Sequence, residues 1–181
     1  MADLILRMDS AALIWIQDTL RYPFLDGFFV FYTKLGDSGR LWLCLSVLLL
    51  LFRRTRKAGI LGILAIALGT LLTNITLKPL ISRERPWLEL SALVPLISED
   101  DPLSFPSGHT CAAFAMAGIW WSTLDLRWLR YLAMGLAILM GFSRLYVGVH
   151  YPLDVLAGCG MGLLSAWLVL LMVRRVNGRR V

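Results

Sequence analysis

His109 and His150 are the only imidazoles in this chain of 181 residues, and each stands among groups that handle anions. His109 closes the run Pro106-Ser107-Gly108-His109. His150 lies in Ser143-Arg144-x5-His150-x3-Asp154, and upstream six residues separate Lys78 from Arg85-Pro86. An imidazole can carry a proton near neutral pH or attack phosphorus as a nucleophile. Ammonium and guanidinium groups grip phosphoryl oxygens, the latter two at a time. These residue types in these runs suit phosphoryl transfer.

Each residue has a plainer use as well. Ser107 is a favoured N-cap, and Pro106 stops whatever precedes an apolar run that reads as a helix. Gly108 lets backbone approach a ligand, and the first turn of the helix offers unpaired N–H groups to an anion. Capping alone accounts for Ser107 but leaves a histidine at the boundary unexplained. Lys78 and Arg144 each end an apolar span, where a long basic side chain can simply reach the headgroups. Arg83 and Arg85 could contact anionic lipid in the same way. Asp154 is harder to dismiss. It lies in an apolar run, and a buried carboxylate needs a partner. His150 is one turn back, and Pro152 suits the first position of a helix. Asp154 can therefore reach His150, fix its tautomer and leave the other ring nitrogen free to attack.

The elements that position these residues are membrane helices. Hydrophobic residues make up 58% of the chain, and the mean hydropathy is +0.70. That is too apolar for a soluble domain of this size. No linker, low-complexity tract or fixed-period repeat divides it. The expectation is an all-α, polytopic bundle forming one integral-membrane domain over 1–181, with a core from 35 onward. Apolar spans read at Leu41 to Phe52, Gly59 to Leu77, His109 to Leu124, Leu129 to Phe142 and Pro152 to Val173. Several fall short of the ~20 residues that cross a bilayer core. Residues 1–34 read as an interfacial helix and a shallow span, or as a true first span from about Ala11 to Tyr32, giving five or six crossings. Asp3, Arg7 and Asp9 interrupt any cleavable signal peptide.

Charge sets the orientation. Ten of the 18 basic residues fall in three places: Arg53, Arg54, Arg56 and Lys57; Arg127 and Arg130; Arg174, Arg175, Arg179 and Arg180. Only Asp125 opposes them there, and the rest of the chain holds eight basic and eleven acidic residues. Each cluster abuts an apolar span, which argues for cytoplasmic loops and a cytoplasmic C-terminus rather than for a nucleic-acid partner. Every motif residue then falls on the extracytoplasmic side. Cys44, Cys111 and Cys159 sit in apolar stretches and read as small buried hydrophobes, without zinc or disulfide spacing.

These segments resemble the type 2 phosphatidic acid phosphatase family, which also includes vanadium haloperoxidases. Its three ordered motifs, Lys-x6-Arg-Pro, Pro-Ser-Gly-His and Ser-Arg-x5-His-x3-Asp, are matched at Lys78, Arg85, Pro86, Pro106, Ser107, Gly108, His109, Ser143, Arg144, His150 and Asp154. The resemblance covers about 78–154 directly and says little about the segment before Leu35. It implies that His150 is the nucleophile and forms a phosphohistidine, with Asp154 orienting and activating it. It implies that His109 is the general acid, and that Lys78, Arg85, Arg144, Ser107 and the Gly108 N–H bind the phosphoryl group. It also implies catalysis without metal or cofactor. The substrate expected is a phosphorylated lipid, first undecaprenyl diphosphate, with phosphatidylglycerophosphate or phosphatidic acid as the alternative. A vanadate-dependent haloperoxidase and a non-catalytic lipid-binding protein are the other classes. Oligomeric state is left open. Glu84, unusual between Arg83 and Arg85, is expected to point away from phosphate and to pair with Arg83. The acidic loop residues Glu99, Asp100 and Asp101 are expected to keep a surface loop soluble rather than to select substrate.

Overall fold

The smallest side chains set the closest helix contact. In Pro152–Gly178, Gly158, Gly162 and Ala166 recur every fourth residue and face Gly108–Thr123. A Cβ added at Gly158 would lie 2.5 Å from the Ser107 carbonyl oxygen, and one at Gly162 would collide with that of Cys111. Lipid tails are as apolar as leucine, so membrane helices associate largely through such close packing. The seam locks the start of one helix beside the start of the other. The Ser107 N–H donates to the Asp154 carbonyl across it at 3.0 Å.

The computed structural model describes residues 2–178; Arg179 and Arg180 of the C-terminal basic cluster lie outside them. The helices are α1 (Ala2–Leu20), α2 (Pro23–Leu35), α3 (Arg40–Leu50), α4 (Arg56–Ile81), the short α5 (Pro86–Glu89), α6 (Gly108–Thr123), α7 (Arg127–Tyr146) and α8 (Pro152–Gly178). No strand occurs among the described residues, although Glu84 and Leu103 form an isolated bridge. The fold is all-α, as expected. By length and composition, α4 and Pro152–Val176 of α8 are able to cross a membrane, each with a mean hydropathy of 2.1.

The central core is built on α6. Ala113, Ala115, Met116, Ala117 and Ile119 are buried against Trp42 of α3, Leu61, Ala65 and Ile66 of α4, Ala137 and Met140 of α7, and Ala166 of α8. All faces of α6 are covered, so its sequence lacks a polar stripe. The helix starts where the sequence predicts, with the Ser107 Oγ accepting from the Thr110 N–H at 3.4 Å.

Two departures bear on the site. First, α4 does not stop at Leu77. It widens into a π-helical stretch over Leu71–Leu77 and runs on to Ile81. Pro79 supplies a cause: it has no N–H, and its ring crowds the carbonyl four residues back, which widens the turn before it. Ser82, in the left-handed region at φ 50°, ends the helix. Second, residues 11–32 are not one continuous helix. Arg21 and Tyr22 divide them into α1 and α2. Phe29 of α2 stacks on Tyr146 at a ring-centroid distance of 4.1 Å. The Gln17 amide of α1 donates to the carbonyls of Leu145 and Tyr146. Both N-terminal helices therefore pack on the end of the bundle that carries the motifs.

Candidate active site

The C-terminal ends of α4 and α7 and the N-terminal ends of α6 and α8 meet at one end of the bundle. Lys78, Arg85, Gly108, His109 and His150 line a single cavity there, of about 450 Å³. Asn74, on the π-helical stretch, shares the wall. It touches Gly108, since a Cβ at that position would fall 2.6 Å from the Asn74 Oδ1. Gly108 thus lets α4 and the opening turn of α6 come together at the cavity floor.

His150 sits just outside α8, as its sequence context predicts, and is 1% exposed. Its Nε2 lies 3.2 Å from Nη1 of Arg85. A guanidinium only donates, so Nε2 is the acceptor there and the ring proton of neutral His150 belongs on Nδ1. Nδ1 faces Oδ2 of Asp154 at 3.5 Å, too long for a formed hydrogen bond, and it has no other partner among the described residues. Asp154 is fully buried. Its Oδ2 accepts the Tyr151 N–H at 2.9 Å, and its Oδ1 accepts from Arg83 at 2.8 Å. Burial pushes the His150 imidazole well below its ordinary range, and Arg85, Arg144, Lys78 and His109 push the same way. The free ring is neutral, with its Nε2 lone pair on the cavity side.

Arg85 is almost wholly buried and held at several points. Its Nε donates to the Asp101 carbonyl and its Nη1 to that of Val149, both at 3.0 Å. Arg144 is fully buried. It donates to Thr33 at 2.7 Å and pairs with Glu99. Lys78 pairs with Asp101 at 2.5 Å. Ser107 is buried as well. Its hydroxyl accepts from both Thr110 groups and does not line the cavity, so what it does here is cap α6.

The acidic loop corrects the sequence expectation. Asp100 is exposed, but Glu99 and Asp101 turn inward onto the cations. Burial raises both carboxyls. The charges of Arg144 and Arg85 on Glu99, and the Lys78 hydrogen bond on Asp101, more than offset it and leave both below the usual range. Glu84 is exposed as expected, whereas Arg83 turns inward to Asp9 and Asp154 instead of pairing with it. Asp37, in the turn before α3, places Oδ1 3.0 Å from Nε2 of His109. That hydrogen bond holds the Asp37 carboxyl below its ordinary range. Asp37 and Asp9 gave no sequence signal, because neither lies in a motif and both partners are distant in the chain.

Glu99 stands where an incoming anion must compete. A Glu99→Gln variant keeps the shape and removes the charge. Inorganic phosphate is expected to bind it about tenfold more tightly, the effect of roughly 1.4 kcal/mol. Isothermal titration in detergent checks this, and unchanged or weaker binding would contradict the competition.

A family model described as the PAP2 superfamily matches residues 58–177. The chain is 33% identical over 150 residues to an undecaprenyl-diphosphatase of Sulfolobus acidocaldarius, covering 83% of this chain and 70% of the relative. It is 33% identical over 162 residues to phosphatidylglycerophosphatase B of Bacillus subtilis, covering 83% and 76%. Among solved structures, Aquifex aeolicus LpxE superposes with a TM-score of 0.78 at 34% identity, over 88% of this chain and 93% of that one. With two imidazoles, Lys78 and Arg85 lining one helix-end cavity, Arg144 buried behind its lining residue Glu99, and these matches spanning most of its length, the chain belongs to the PAP2 superfamily.

Proposed function

We propose that the protein is a lipid phosphatase that works through a phosphohistidine on His150. One observation carries the reading: the two imidazoles line the same cavity as Lys78, Arg85 and the N-terminal turn of α6. In the first step the His150 Nε2 attacks phosphorus and the bond to the leaving oxygen breaks. His109 donates the proton that this oxygen takes up, with Asp37 stabilising its charged form. In the second step water attacks the phosphohistidine and gives a proton back to His109. The P–N bond breaks and phosphate leaves. Lys78, Arg85, Arg144 and the Gly108 N–H stabilise charge on the equatorial oxygens, with Ser107 holding that turn in place. These fixed cations supply the charge that a metal would otherwise bring.

The chain reads as one membrane domain with five crossings, α3, α4, α6, α7 and α8, and with α1 and α2 packed at the motif end. The basic turns that join α3 to α4 and α6 to α7 lie at the opposite end, and the positive-inside rule makes that end cytoplasmic. The site then faces the extracytoplasmic leaflet. A phosphorylated head enters the cavity while its tails stay in lipid. Undecaprenyl diphosphate is the favoured substrate, supported by the similarity to an undecaprenyl-diphosphatase. The similarity to phosphatidylglycerophosphatase B supports phosphatidylglycerophosphate as the second. The test is phosphate release in detergent with excess chelator. It compares undecaprenyl diphosphate, phosphatidylglycerophosphate, phosphatidic acid and a water-soluble diphosphate. Release from the polyprenyl substrate at least about tenfold faster than from the others is expected. Preference for a glycerolipid would replace the substrate, and no release from any lipid would remove the function.

A further inference from the structure

A buried chain of charges leads away from His150, on the side opposite the cavity. Asp154 Oδ2 faces the ring, and its Oδ1 accepts from Arg83 Nη1 at 2.8 Å. The other arm of the guanidinium, Nη2, donates to Oδ2 of Asp9 at 2.7 Å. Oδ1 of Asp9 accepts the Leu153 N–H at 2.9 Å, tying α1 to the first turn of α8. The Arg83 guanidinium carbon lies over the Tyr151 ring, 3.8 Å from its centroid. Asp9 is 4% exposed, and the Arg83 side chain 12%. A surface ion pair would not be enclosed in this way, and neither residue belongs to the three motifs.

We propose that Arg83 and Asp9 are positioning residues for the reaction: Arg83 holds Asp154 against His150, and Asp9 on α1 supplies the second negative charge that keeps the buried group net anionic. The inference rests on the nucleophile assigned above. Two carboxylates share one guanidinium, so the three groups together carry one negative charge. When Nε2 bonds to phosphorus while Nδ1 keeps its proton, the imidazole becomes a cation. The single negative charge behind it then balances that cation in a low-dielectric setting. An Arg83–Asp154 pair alone would be neutral and would give less support. Arg85, Lys78, Arg144 and His109 disfavour its cation, and the carboxylates on the cavity side, Glu99 and Asp101, are engaged by those cations. On the Nδ1 side the Asp154 network is what favours it.

The sign of the charge makes a test that a merely structural role would not pass. Asp9→Asn makes the network neutral, and the acidic limb of kcat/KM, which reports the free enzyme, moves to lower pH. Arg83→Gln makes it doubly negative, and the limb moves up. The double variant restores one negative charge and returns the limb to within a few tenths of a unit of the parent. Each single shift is expected to be about one unit, the effect of a unit charge on the order of 10 Å away at an effective dielectric of about 20. Asp9→Asn should also lower kcat about tenfold and change KM less than twofold. The measurements use the full chain in detergent, with the lipid hydrolysed fastest in the panel above, so the ionisation of the substrate is common to all variants. Arg83→Gln leaves two buried carboxylates without a partner. If it does not fold, Asp9→Asn and the double variant still decide. A limb that stays put or rises in Asp9→Asn, or a double variant that does not return to the parent profile, overturns the proposal. If His150→Ala is inactive in the same assay, such a result removes only this network. If His150→Ala is active, the assigned nucleophile itself is wrong.

Discussion

A His150→Ala variant is expected to lose phosphate release by about 10³-fold or more while remaining folded and lipid-bound. The expectation rests on the orientation of the ring: Nε2 faces Arg85, which lines the cavity with His150, while Nδ1 faces a buried carboxylate. The other imidazole, His109, instead turns its Nε2 to a carboxylate, that of Asp37. Removing a nucleophile leaves only what binding and electrostatics contribute. An acid quench of the parent enzyme with labelled substrate should trap a phosphoramidate that is stable to alkali and labile to acid, and the variant should trap none. The pH dependence follows from burial. A folded-state imidazole below its ordinary range stays neutral as pH falls through about 6.5, so its lone pair stays available. The acidic limb of kcat/KM assigned to His150 is therefore expected well below that value. A variant that hydrolyses lipid at the parent rate, or a limb at or above about 6.5, would end the assignment.

Much of the site was legible because its residues sit at helix starts and stops, where local sequence constrains geometry. Ser107 had to cap something, and the apolar run after it had to be a helix. Pro152 fixed the start of α8, which put Asp154 one turn beyond His150. The ladder of small residues at Gly158, Gly162 and Ala166 explains why those two helix starts come together. The unread parts depend on contacts between distant segments. Asp9 and Arg83 are 74 residues apart and meet across α1 and the loop after α4. Glu99 and Asp101 looked like solvated loop charges because an acidic run has no periodicity to orient it. Only the fold decides which of three adjacent carboxylates turns inward. Helix α4 likewise runs through Lys78 and Pro79 to Ile81, beyond the Leu77 limit of the apolar span, since hydropathy measures composition rather than backbone hydrogen bonding.

Arg144 is the cation whose loss should be felt both in stability and in rate, and the two effects are separable. Its guanidinium is fully buried between Thr33 and Glu99. Arg144→Gln leaves the Glu99 carboxylate, whose side chain is 19% exposed, without its main partner. Breaking a buried pair costs about 3–5 kcal/mol, because the surviving charge is desolvated and uncompensated. The partial exposure of Glu99 and its longer contact with Arg85, at 3.7 Å, put the expected loss near the lower end of that range. A scan in detergent should therefore register a lower unfolding temperature. The rate should fall about 10²–10³-fold, the usual effect of removing one fixed donor to transition-state charge. Adding Glu99→Gln removes the orphaned carboxylate, so the double variant is expected to regain most of the thermal stability. It should regain none of the rate, since the donor to the phosphoryl oxygens is still missing. Recovery of rate together with stability would mean that Arg144 acts only by neutralising Glu99, and the phosphate cradle would then consist of Lys78, Arg85 and the α6 N-terminus without it.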